Sequence, residues 1–316
     1  MKNLSSRAII GEFFKKLNEK TGMEWITRIS NYFTSDQDSE EYRWIGQSPV
    51  MREWVGGRHA KGFQSNGIAI ENKHFEATLD IPVKHLRRDK TGQIKARIGE
   101  LATKTKSHWA LLLSELITKG ETGLCYDGKP FFAENHKEGK SGTQSNKITF
   151  DLAKAAINGE VGTAELPTEA ALREAVLAGV QQIIGFKDDQ GEPFNENATQ
   201  FVVMVPVNLW FVAKAALAVP LSVSGASNPV KVLSDIDLAI AANPRLTGNK
   251  FYVFRADGDV KALIRQEETA VQMKAKAEGS EYEFDNDAHQ YGVDTWRNVG
   301  YGYWQHACQV ALTKSA

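Results

Sequence analysis

Residues 55–86, VGGRHAKGFQSNGIAIENKHFEATLDIPVKHL, lead into residues 93–117, QIKARIGELATKTKSHWALLLSELI. The first stretch keeps strand character, yet it is too charged and too glycine-rich for a core element. Arg58, His59, Lys61, Glu71, Lys73 and Glu76 alternate there with Gly56, Gly57, Gly62 and Gly67. Phe75, Ala77, Leu79, Ile81 and Val83 fall at period two and predict one face of a strand. Ile68 and Ile70 predict an outward strand pairing with it, turned at Asn66-Gly67. A lone two-stranded ribbon is marginal in water. This ribbon is therefore expected to be stable only when laid on a neighbouring copy of the chain.

The second stretch places Ile94, Ile98, Leu101, Trp109, Leu112, Leu113 and Leu116 at helical spacing. At 1.5 Å per residue that helix is roughly 35–40 Å long. The polar run Thr103–Ser107 is a place for a bend, and Lys119-Gly120 is a suitable stop.

Before the ribbon, Ile9, Phe13, Phe14 and Leu17 predict an amphipathic helix, and Thr34–Glu41 a polar loop. After the long helix, residues 125–145 read as loop. Helices are expected at Asp151–Asn158, Thr168–Ile184 and Leu209–Leu217. Strands are expected at Phe201–Val205, Val230–Leu233 and Phe251–Phe254. Asp257-Gly258 predicts a hairpin from 251–255 to 260–264. Val271, Met273, Ala275, Tyr282, Phe284, Trp296, Tyr301 and Tyr303 then read as extended chain returning to an earlier sheet.

Composition excludes several classes. The 316 residues carry 38 Lys and Arg against 39 Asp and Glu, a formal net charge of −1. That balance lacks the basic surface from which a nucleic-acid binder gains by counterion release. Cys125 and Cys308 form neither a CxxC pair nor a disulfide framework, which fits buried thiols in a reducing compartment. Met1–Arg7 has no apolar signal core, and no window approaches eighteen uninterrupted apolar residues, so no membrane role is expected.

Linear motifs for chemistry fail one by one. Gly139-Lys140-Ser141 ends like a phosphate loop, but the required glycine position holds Glu134. Asp285–His289 lacks the glycine and terminal Glu of a calcium loop. His108 and His136 belong to no HExxH or spaced Cys/His set, and there is no GxSxG or GxGxxG. No catalytic residue, cofactor or metal is expected.

Four blocks in order carry a family resemblance: Tyr42-Arg43-Trp44-Ile45-Gly46; Met51-Arg52-Glu53-Trp54-Val55-Gly56; Asn72-Lys73 with Phe75-Glu76; and Cys125–Phe132 with His136. They resemble the Mu-like phage major head subunit family, most densely over residues 42–136. Where that family tends to be acidic after its loop, this chain has His85-Leu86-Arg87-Arg88-Asp89.

The resemblance implies an α+β chain with the tailed-phage major capsid protein fold. It implies an N-terminal arm (1–45), an extended β-loop (46–92), a peripheral domain with a long spine helix (93–150), an axial domain (151–264) and a return to the peripheral domain (265–316). It further implies a virion capsid protein, not an enzyme, assembled in the host bacterial cytoplasm. Pentamers and hexamers would close an icosahedral shell around double-stranded DNA, which it would enclose without reading its sequence. Portal, scaffolding or protease proteins and a decoration protein are implied partners. Candidate intersubunit contacts are Arg58, Lys61, Lys73, Glu76, Arg87 and Arg88. Lys61 and Lys73 lie in the loop where some such capsids crosslink a Lys to an Asn, but nothing here marks an acceptor. Two rival readings are a cellular nanocompartment shell of the same fold around cargo enzymes, and a soluble α/β enzyme without a recognisable motif.

Overall fold

A computed structural model describes residues 5–19, 22–42, 67–88, 92–155, 159–218 and 235–315. Its long helix, α4, runs Gln93–Thr118 without interruption. It buries Ile94, Ile98, Ala102, Ala110, Leu113 and Ile117 along one stripe. The polar run does not break it. The Thr103 and Thr105 hydroxyls donate back to the carbonyls of Gly99 and Leu101, at 2.9 and 2.8 Å. Near its start, α1 (Ser6–Leu17) packs against it, capped by Ser5 and burying Ile9 and Phe13. These two side chains join Ile81, Leu86, Ile98, Tyr291 and Val293 in a small separate core. The amphipathic N-terminal pattern is thus satisfied within the subunit.

Two sheets flank α4. The first, in order β1-β9-β10-β4, uses β1 (Ser30–Thr34), β4 (Lys73–Pro82), β9 (Leu263–Lys276) and β10 (Ala288–Tyr301). The second, in order β5-β11-β8-β6-β7, uses β5 (Lys147–Asp151), β6 (Gln200–Val205), β7 (Asp237–Ala242), β8 (Lys250–Arg255) and β11 (Ala307–Thr313). Helices α5 (Glu169–Ile184), capped by Thr168, and α6 (Val207–Ala218) pack on the second sheet. One continuous core links α2 (Trp25–Ile29) and the later half of α4 to this sheet. Phe131 stacks on Tyr301 at 4.6 Å, and Trp304 lies between His136 and Phe186.

Several expectations are corrected. The ribbon 68–70 with 75–83 does not form. β3 (Ile68–Glu71) pairs with β2 (Ser39–Tyr42), while β4 pairs with β10 over Lys73–Pro82. The two strands diverge at Asn72, whose buried side chain fixes the corner. Period two on β4 is real, with Phe75, Leu79 and Ile81 turned inward, but it ends at Pro82; Val83–Arg88 is a helix, α3. Where a helix is expected at Asp151–Asn158, Asp151 ends β5 and Leu152–Lys154 is a single 3-10 turn, and residues 156–158 lie outside the described residues.

Asp257-Gly258 turns the chain from one sheet to the other rather than making a hairpin: β8 pairs with β11 and β6, and β9 with β1 and β10. The Asp257 carboxylate is committed to Arg255 and to the backbone N–H groups of Thr199 and Gln200. Tyr282 and Phe284 lie on a short helix, α7 (Glu281–Asn286), because Ser280 caps it. Residues 265–316 divide between the sheets: β9 and β10 return to the first, whereas β11 is an inner strand of the second. The strand expected at Val230–Leu233 lies outside the described residues.

The second sheet is tied to the end of α4 by Glu121. Its carboxylate accepts from Lys147 Nζ at 2.7 Å, Lys250 Nζ at 2.5 Å and Gln309 Nε2 at 2.8 Å. These donors pull its pKa down from 4.5 to about 2. A carboxyl lowered on folding stabilises the fold fully above its unfolded pKa, and that contribution fades as pH falls towards the folded value. With its side chain about one-third exposed, solvent screening leaves about 1 kcal/mol. Glu121→Gln should therefore melt lower than the parent at pH 7. The gap should narrow as the pH is taken from 4.5 towards 2. Equal melting at both pH values would dismiss this role.

Candidate intersubunit surfaces

The root of the extended loop is built on Gln266, a fully buried residue of β9. Its amide nitrogen donates to Ile70 O at 3.0 Å and Asn72 Oδ1 at 2.8 Å; its oxygen accepts from Tyr42 OH at 2.8 Å. Asn72 in turn donates to Ser35 Oγ and Gln37 O, at 3.2 and 2.8 Å. Burial pushes the Tyr42 phenol up to about 12, with Glu40 adding to it, so the phenol remains a donor at neutral pH. Every polar atom of this corner thus finds a partner. Gly300 completes the seat: a Cβ there would collide with the Ile70 side chain. The short β2–β3 ladder is thereby clamped to its own subunit with Tyr42 opposite Ile68. Residues 43–66, which connect these two residues, lie outside the described residues.

The four expected contact residues that are described do not form one patch. Arg58 and Lys61 lie outside the described residues. Lys73 and Glu76 are exposed near one end of β4, the edge strand of the first sheet. Among the described residues no strand pairs with its outer side, and a sheet edge is the kind of surface onto which another strand can add. Arg87 and Arg88 are exposed on α3, beyond the other end of β4. Lys73 and Pro82 are the two ends of this ten-residue strand, about 30 Å apart. Among the described residues, no ion pair involves Lys73, Arg87 or Arg88.

Sequence reasoning missed three features here. His74 stacks on Trp296 at 4.7 Å and approaches Asp294. On α6, Val207, Trp210 and Phe211 are exposed, Phe211 by 77%; only the excess of apolar residues around that helix hinted at it. Phe284 on α7 is 90% exposed, and its acidic neighbours were the available signal.

The block Cys125–Phe132 with His136 buries Cys125, Tyr126, Phe131, Phe132 and His136, with Gly128 and Lys129 exposed between them. Phe131 and Phe132 are core residues, His136 Nδ1 meets Asp127 Oδ2 at 2.6 Å, and the Tyr126 hydroxyl bonds to the half-buried Glu138 and to Gln305. Burial pushes both thiols, Cys125 and Cys308, well up, so they stay protonated. Among the described residues no His, Cys, Asp and Glu group is placed to hold a metal ion, and no helix is long and apolar enough to cross a membrane.

Comparison with known proteins follows the same outline. A match to the family described as Mu-like prophage major head subunit gpT covers residues 6–156 and 239–315. The chain is 31% identical over 109 residues to the major capsid protein of Escherichia phage Mu, covering 34% of this chain and 36% of that protein. It is 31% identical over 125 residues to the Mu-like prophage FluMu major head subunit of Haemophilus influenzae, covering 39% and 41%. The chain thus spans about two fifths of the length of the curated relatives it matches.

Among solved structures, it resembles the procapsid of bacteriophage JBD30, with TM-score 0.55 and 19% identity, over 100% of this chain and 77% of that one. It also resembles the capsid of Cyanophage P-SCSP1u, with TM-score 0.57 and 11% identity, over 95% and 94%. A virus-like particle from Pyrococcus furiosus matches with TM-score 0.52 and 12% identity, over 96% and 98%. At these identities the likeness is one of fold, and the fold is that of tailed-phage capsid proteins. The family match spans the loop root, the long helix, the Cys125–Phe132 block and the closing strands, so this chain belongs to the Mu-like prophage major head subunit family.

Proposed function

We propose that the chain is the major head protein of a tailed bacteriophage or Mu-like prophage, a structural subunit whose copies form hexamers and pentamers of an icosahedral shell around double-stranded DNA. The family match carries this reading, because it covers the four-stranded sheet, the long helix and the strands β5, β8 and β11 of the second sheet. In this scheme α4 is the spine of a peripheral domain together with the four-stranded sheet, and the five-stranded sheet is the axial domain. Residues 46–92 are the extended loop, reaching from a root held in its own subunit onto a neighbour. Arg58, Lys61, Lys73, Glu76, Arg87 and Arg88 set the register of such contacts, giving specificity more than affinity. A net charge of −1 suits a lining that encloses DNA without gripping it. Portal and scaffolding or protease proteins would act during assembly in the host cytoplasm, and a decoration protein afterwards.

A closed shell repeats heterologous contacts around its axes. At about 25 cal/mol per Å² of apolar area, a few hundred Å² per contact is several kcal/mol before ordering costs. Co-expression with its neighbouring head-assembly genes, followed by electron microscopy, should show closed icosahedral particles containing DNA. Particles filled with a copurified enzyme would favour the cellular compartment instead. Monomers under every condition would end the shell reading.

A further inference from the structure

Two complementary features sit side by side at one end of the four-stranded sheet. The first is α7, which projects Phe284 into solvent, with exposed Glu281 and Asp285 beside it. The second is an open groove of about 470 Å³ between the end of β4, α3 and the start of α4. Its apolar lining includes the buried Ile81 and Ile94, and its rim carries His85, Arg88 and Arg97, all exposed. The one carboxylate lining it is Asp80, which faces the Tyr282 phenol of α7. The ladder places knob and groove together: Ala288 lies opposite Pro82, and Val83 N donates to Asp287 O at 2.8 Å.

We propose that the α7 knob of one copy seats in the basic groove of a second copy. Phe284 enters the apolar lining, while Glu281 and Asp285 pair with Arg88 and Arg97. This rests on the shell reading. An exposed aromatic flanked by carboxylates is costly to leave in water and matches a groove that is apolar inside and cationic at its rim. Arginine forks bind carboxylates bidentately and so fix direction as well as affinity. Each copy carries both halves at the same end. Copies rotated about an axis beyond that end can each give a knob and receive one, and such a contact closes into a ring.

The test is a charge exchange. Arg88→Glu with Arg97→Glu forms one variant, Glu281→Arg with Asp285→Arg a second, and all four changes together a third. All four side chains are exposed, so circular dichroism and melting should match the parent. Sedimentation of the soluble pool reads small oligomers, and electron microscopy reads shells, at physiological salt. Each half-exchange should lower the assembled fraction at least tenfold, and the full exchange should return it to within about threefold of the parent. Phe284→Ser should lower it without rescue. A half-exchange that assembles like the parent, or a full exchange no better than either half, overturns the proposal. A parent that makes small oligomers but no shells sinks the shell reading alone, and the pairing is then judged on those oligomers. A parent that stays monomeric throughout sinks both.

Discussion

Replacing residues 46–63 with a short glycine–serine turn should give a subunit that folds and melts like the parent yet closes no shells. The loop's root is complete without its tip. β2 pairs with β3, Gln266 satisfies Ile70 and Asn72, and Ile70 fills the space left open at Gly300. Residues 43–66 span at most about 40 Å out and back, at ~3.4 Å per residue per leg. That reach, supplied once by every subunit, is what the shortened chain loses. The excision must stop short of the ladder. Removing residues 57–81 would delete β3 and most of β4, exposing the second core around Ile81, Tyr291 and Val293, and the subunit would fail before assembly was tried. Sedimentation and negative-stain microscopy of the shortened chain, beside its melting curve, check the claim. Shells of parental size from a fully folded variant would show that the loop is not what joins the subunits.

The long helix was legible because its signal is local. Ile94, Ile98, Leu101 and Leu113 repeat at helical spacing over seven turns, and the threonine run that interrupts them bonds to its own backbone. The same holds for α5 and β6, one with a Thr168 cap and the other a solid apolar run. Partner choice was not legible. Nothing within 66–86 says that Ile68–Glu71 pairs with residues 39–42, because the decisive groups, Gln266 and Gly300, lie some two hundred residues away. Asp257-Gly258 has the chemistry of a hairpin, but the strands on either side have better partners in different sheets. Tyr282 and Phe284 read as strand because the two aromatics alternate with carboxylates at period two, while the Ser280 cap decides for helix. As for the contact surfaces, charge in the loop pointed to Lys73 and Glu76. The split between the two ends of β4, and the apolar knob at Phe284, needed the fold.

Arg297→Ala should be strongly destabilising, costing about 3–5 kcal/mol, the usual range for breaking a buried pair. Arg297 is 3% exposed, with its guanidinium 4.6 Å from the Trp109 ring. It donates to Thr105 O at 3.1 Å and to His108 Nδ1 at 3.2 Å, and lies 3.8 Å from Glu267. It therefore fastens β10 to the middle of α4 by two hydrogen bonds, a ring face and a charge. Burial lowers its pKa to about 10, which leaves it cationic at neutral pH. His108 is driven the other way from charge, to about 4, by burial and then by Arg297 and Arg245. It stands neutral and presents a lone pair to the guanidinium. Truncating Arg297 takes a charged donor from the Thr105 carbonyl, leaves Glu267 at 11% exposure with the Tyr32 hydroxyl and the Arg265 charge, and opens a void against Trp109. Lysine cannot substitute, since it lacks the planar fork that meets ring, carbonyl and imidazole together. In a chain of this length the loss lowers the melting temperature by roughly 5–10 °C. Pairing Arg297→Met with Glu267→Gln should recover much of it, because the carboxylate no longer needs a counter-charge. If Arg297→Ala unfolds within about 0.5 kcal/mol of the parent in urea, the helix is held to the sheet by apolar contacts alone and the guanidinium is a passenger. If the double exchange is no better than the alanine, the cost lies in lost packing on Trp109 rather than in an orphaned charge.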